Sequence, residues 1–98
     1  MYFAVICRDK PDALQLRLDT RPTHLEHLNR VNESGALKVA GPLLGDDGKP
    51  MGSLLIVEAD DAEAARKLAE ADPYAKAGLF ESVEIRAWNW VFNAPSEA

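Results

Sequence analysis

The sequence predicts an α+β domain in which four strands and two helical crossings alternate in the order β, α, β, β, α, β. Three observations carry this. Runs rich in aromatic and β-branched residues recur along the chain. Two stretches with apolar residues three and four apart separate the outer runs from the middle ones. A short loop containing Asp-Gly joins the two middle runs as a hairpin.

Each element has its own signals. "YFAVICR" (2–8) is strand one and ends in the turn-like "RDKPD". From Pro11 to about Ser34 the pattern is helical, and Asp19, Thr20 and Pro22 predict a cap and a break that divide it in two. Gly35 is placed to end the second piece. "ALKVAGPLL" (36–44) is strand two, where Gly41 and Pro42 predict an edge position or a bulge. "GDDGKP" is the hairpin loop and "GSLLIVEA" (52–59) strand three. Asp60 with Glu63 resembles a capping box opening a helix over 61–71, which Pro73 brings to an end near Asp72. "YAKAGLF" reads as a loop and "ESVEIRAWNWVF" (81–92) as strand four. One domain is expected over 1–93, with a polar tail over 94–98.

This is the ferredoxin-like plan, a four-stranded antiparallel sheet with both helices on one face. Strand three complicates it, because Leu54, Leu55, Ile56 and Val57 form an unbroken apolar run. A half-exposed antiparallel strand alternates instead. In strand four, Val83, Ile85, Ala87 and Val91 are expected on one side and Trp88, Trp90 and Phe92 on the other. Two helices cover only one face of the sheet. The expectation is a homodimer through the sheet face opposite the helices, closing into a dimeric α+β barrel.

Composition narrows the function classes. Hydrophobic residues at 47% and charged residues at 28% describe an ordinary globular domain. The formal charge of −5 is interleaved rather than blocked, which argues against nucleic acid or an anionic membrane as partner. Cys7 is the only cysteine, so no intrachain disulfide forms, and its apolar surroundings predict an inert thiol. The opening has no basic region, signal core or cleavage site, and no run reaches the ~20 apolar residues of a membrane span. A cytoplasmic location is expected.

The chemistry centres on "RPTHLEHL" (21–28), which holds both histidines, His24 and His27. At about 100° per residue, Leu25, Leu28 and Val31 define the buried stripe. Arg21 and His24 fall within roughly 40° of its centre, whereas His27 lies on its shoulder. On the second helix, Ala65, Leu68 and Ala69 turn inward, and Asp72 projects onto the same side. A carboxylate at a helix C-terminus faces the unfavourable end of the dipole, so helix stability does not account for it. Antiparallel helices bring the start of one near the end of the other. His24 and Asp72 are therefore expected to meet. An aspartate beside imidazole fixes which ring nitrogen carries the proton, as a proton-transfer group requires. The competing interpretation is a structural hydrogen bond between helix ends. A metal site from His24, His27 and Asp72 is the weaker reading, since i, i+3 spacing is poor evidence and no fourth ligand is apparent.

Taken together, "RPTHLEHL", "AGPLLGDDGKPMGSLLIVEA" and "ADPYAKAGLFESVEIRAW" resemble the YciI-like (YCII-related) family over nearly the whole chain. The resemblance implies a ferredoxin-like dimeric α+β barrel. It also implies a His–Asp active site in a pocket, with His24 in the R-P-x-H-L motif and Asp72 in the D-P-Y motif. Arg21 precedes the histidine, and Gly52 and Ser53 match the Gly-Ser that opens strand three. His27 is outside the motif.

The resulting expectation is an enzyme that needs no metal or organic cofactor. His24 acts as base or acid with Asp72 orienting it, and Arg21, Ser53, Tyr74 and Phe80 are the candidate substrate-binding residues. The resemblance implies elimination, isomerisation or hydrolysis-type chemistry on a small aromatic-derived or lactone substrate. The main alternative is a non-catalytic dimeric module that binds a metabolite or assists another protein. A heme- or metal-dependent barrel is the weaker rival.

Overall fold

The computed structural model describes residues 1–95. The last three positions of the expected tail, 96–98, lie outside the described residues. The elements are β1 (Tyr2–Asp9), α1 (Leu14–Glu33), β2 (Leu37–Leu44), β3 (Pro50–Glu58), α2 (Ala62–Glu70), α3 (Pro73–Lys76) and β4 (Phe80–Trp88). They form one antiparallel sheet in the order β2-β3-β1-β4. This is the ferredoxin-like arrangement. Among the described residues no helix is long and apolar enough to cross a membrane.

The register divides the sheet into two faces. Phe3, Val5 and Cys7 of β1 lie opposite Val57, Leu55 and Ser53 of β3, and opposite Ala87, Ile85 and Val83 of β4. Phe3, Val5, Cys7, Leu55, Val57 and Ala65 of α2 make the core, with Leu28, Leu68 and Phe80 packed against it. Such side chains contribute roughly 1.5–3 kcal/mol each when fully buried. The other face carries Ala4, Ile6, Leu54 and Ile56 beside the charged Glu84 and Arg86, and Val39 and Trp88 are exposed there. The unbroken apolar run of strand three thus serves both faces.

Several local expectations are corrected. α1 is one continuous helix through Pro22, not two pieces. An interior proline costs a helix about 3 kcal/mol, but buried Arg17 and His24 on either side anchor both halves to the same sheet face. Leu25 does not join the buried stripe; it is exposed and borders the cavity described below. The α2 cap is Asp61, whose side chain accepts from Ala64 N at 2.8 Å, in place of Asp60. "YAKAGLF" is not all loop, because Asp72 caps the short α3 with Pro73 at its first turn.

β4 stops at Trp88 instead of reaching Phe92. The cause is pairing: its neighbour β1 begins at Tyr2, opposite Trp88, and among the described residues no strand lies beyond to bond it. Val91 and Phe92 are exposed, and Trp90 packs edge-on against Tyr2 at 5.4 Å. Pro42 does sit on an edge strand, β2, which is bulged near both ends.

Candidate active site

The continuous α1 puts Arg17, Arg21, His24 and Leu28 on one stripe, within about 60° of arc. Arg17 and His24 are buried. With Ser53 from β3 and Tyr74 from α3, the three polar residues of α1 form one wall of a cavity of about 250 Å³. Leu18, Leu25, Leu28, Pro42 and Leu55 supply its apolar side. The cavity is open to solvent between α1 and the edge strand β2. Next to Ser53, Gly52 runs so close to the Cys7 carbonyl oxygen that a Cβ there would clash with it.

His24 and Asp72 meet. Nδ1 of the ring is 2.9 Å from Oδ1 and 3.0 Å from Oδ2 of Asp72. Asp72 Oδ1 also accepts from the backbone N–H of Tyr74 at 2.9 Å, the capping bond that starts α3. A carboxylate only accepts, so Nδ1 donates and carries the proton. Among the described residues Nε2 has no protein partner, and no fully buried side-chain N or O lacks one. Nε2 therefore opens towards the cavity that His24 lines.

A second buried pair adjoins the first. Arg17 donates from Nε to Asp9 Oδ2 at 2.6 Å and from Nη2 to Asp9 Oδ1 at 2.9 Å, a bidentate ion pair. The same Nη2 donates to Ser53 Oγ at 2.9 Å. Burial disfavours the Arg17 charge, but the hydrogen bonds and charge of Asp9 outweigh it and hold the guanidinium above its ordinary range. Tyr74 lies between the two pairs. Its ring stacks on His24 at 3.9 Å and 17°, and the Arg17 guanidinium sits 4.6 Å from the ring centroid.

The remaining candidates fall into place around these. Arg21 lines the cavity and forms no ion pair among the described residues. Asp19, two residues before it, accepts from Gln15 at 2.8 Å. Phe80 does not line this cavity; it supports Tyr74 from the core side, edge-on at 6.0 Å. His27 is half-buried and does not line it either. Among the described residues, no group of three or more His, Cys, Asp or Glu is placed to hold a metal ion. Sequence reasoning missed Arg17 and Asp9. The available signal was a charged residue in helical phase with Arg21, His24 and Leu28.

Similarity to known proteins agrees with this architecture. The model of the YCII-related domain matches residues 1–89, and the chain belongs to that family. It is 37% identical over 98 residues to Protein YciI of Escherichia coli O6:H1, covering 94% of this chain and 100% of that protein. It is 39% identical over 72 residues to the derivative of benzaldehyde biosynthesis cluster protein C of Emericella nidulans, covering 66% of this chain and 74% of that protein. Among solved structures it resembles 5-chloro-2-hydroxyhydroquinone dehydrochlorinase (TftG) from Burkholderia phenoliruptrix AC1100, in complex with 2,5-dihydroxybenzoquinone. The TM-score is 0.82 at 35% identity, with 91% of this chain and 94% of that one covered.

Proposed function

We propose that this YCII-related protein is a small-molecule enzyme that moves protons with His24. The observation that carries the reading is the asymmetric imidazole. Nδ1 is occupied by Asp72, while Nε2 opens to a cavity large enough for a single substituted ring. Nε2 takes a proton from a hydroxyl or an activated carbon of the substrate. The electron pair left behind forms a new double bond. In an elimination a leaving group departs from the neighbouring atom with its own pair. In an isomerisation the proton returns to a different carbon.

Arg21 binds an anionic oxygen of the substrate, since its charge has no protein partner among the described residues. Arg17 is already engaged by Asp9 and serves to order the wall. The apolar side of the cavity suits the edge of a ring. Likeness to a dehydrochlorinase that holds a dihydroxybenzoquinone supports hydroxylated, aromatic-derived rings as the substrate class. The proposal includes a second copy of this chain over the open sheet face. Sedimentation at micromolar concentration is expected to give twice the chain mass.

Turnover is measured on a panel of chlorinated and unchlorinated hydroxyhydroquinones and unsaturated lactones, following chloride release and ring absorbance. His24→Ala is expected to lower the rate by ~10²–10⁴-fold. Activity within a few-fold of wild type would remove His24 from the chemistry. A ligand bound by the wild-type chain without turnover anywhere on the panel would favour the non-catalytic module.

A further inference from the structure

Tyr74 is the most constrained aromatic side chain of the site. It is 1% exposed, stacked on His24, overlain by Arg17 and met edge-on by Phe80. Its hydroxyl position is therefore set before any ligand arrives. A buried phenol needs a hydrogen-bond partner, and Tyr74 Oη makes no side-chain hydrogen bond to an acceptor among the described residues. Among the described residues, no fully buried side-chain N or O is left without a partner. Tyr74 helps to form the cavity wall, and the protein group that reaches its hydroxyl is the Arg17 guanidinium, a donor.

Donor and acceptor accounting then gives the hydroxyl a direction. The cations acting on the phenol are Arg17 and Arg21, and a guanidinium has no acceptor to offer. Asp72, the nearby acid, already accepts from His24 and from the Tyr74 backbone. The hydrogen on Oη is left for an oxygen inside the cavity. Burial pushes the phenol above its ordinary range, with the Arg17 and Arg21 charges pulling the other way and Asp72 adding to the rise. The group is a donor at neutral pH.

We propose that Tyr74 Oη donates a hydrogen bond to the ligand oxygen that gains negative charge as His24 takes its proton. It is then a second catalytic residue, a fixed donor aimed at developing charge. This rests on the role proposed above for His24 and Arg21.

The probe is 2,5-dihydroxybenzoquinone, and the readout is the Cζ resonance of ¹³C-labelled tyrosine. The chain has two tyrosines, Tyr2 and Tyr74, so two signals appear, assigned through Tyr2→Phe. On adding the probe the Tyr74 signal is expected to move and the Tyr2 signal to stay. Tyr74→Phe keeps the stacked ring, and its affinity for the probe should fall about tenfold. If the probe binds and Arg21→Gln weakens it, yet Tyr74→Phe binds like wild type and the Cζ signal is still, Tyr74 loses its assignment while the reading of the site stands. If the wild-type chain takes up no probe, the anion-binding reading falls and this inference with it. Should Tyr74→Phe fail to fold, the wild-type resonance decides alone.

Discussion

Two buried acid–base pairs flank Tyr74, and they are built to opposite ends. Asp9–Arg17 is saturated: both carboxylate oxygens accept, and the guanidinium also holds Ser53. His24–Asp72 is lopsided, with one ring nitrogen doubly engaged and the other facing the cavity. The first pair has a fixed charge on each side and no route to share a proton. The second leaves Nε2 outside its own hydrogen bonds. Burial and a carboxylate partner are common to both, so neither feature marks the reactive group. Under the proposed function, the open nitrogen does.

The sharpest way to break this comparison is through stability. Asp9→Ala strands the Arg17 charge in a buried site and is expected to cost roughly 3–5 kcal/mol, read from denaturant unfolding. Replacing both partners with apolar residues, Asp9→Leu with Arg17→Met, should recover most of that loss. An Asp9→Ala protein as stable as wild type would mean that the pair is wetter and less structural than its geometry indicates.

A smaller effect sharpens the picture of the ground beneath the two pairs. Cys7 lies on β1 opposite Ser53, and its thiol is raised from 9.0 to about 12. Burial is the main cause, then the Asp72 charge, with Asp9 adding and Arg17 opposing. The folded protein therefore keeps a proton that the unfolded chain releases near pH 9. The contribution is fully present below pH 9 and is lost as pH rises towards about 12. Cys7→Ala should flatten that part of the alkaline decline, and the native thiol should resist alkylation at pH 8. Rapid alkylation of the folded protein would contradict the burial.

Much of the fold was legible because periodicity and topology are cooperative signals. Four strands and two crossings leave few arrangements, and antiparallel helices place His24 near Asp72 in nearly any of them. What was not legible involves local rules overridden by packing. Asp19, Thr20 and Pro22 form a reasonable stop, and reading them so separates Arg17 from the phase of Arg21 and His24. Only in the unbroken helix do these residues share a stripe. Pro73 reads as the end of α2, yet it also begins α3, and Asp72 is then a cap rather than a misplaced charge. Strand four looked longer because Trp90 and Phe92 continue its alternation. No residue of strand four itself reveals that its neighbour begins at Tyr2.

The central claim is that His24 presents an unprotonated Nε2 to the cavity because Asp72 holds the proton on Nδ1. Imidazole ¹⁵N spectra test it directly, since His24 and His27 are the only two histidines and His27 serves as an internal reference. In the neutral ring of His24 the account predicts a proton on Nδ1, an acceptor-type Nε2, and loss of that pattern in Asp72→Ala. A neutral His24 ring with its proton on Nε2, unchanged by Asp72→Ala, would contradict it.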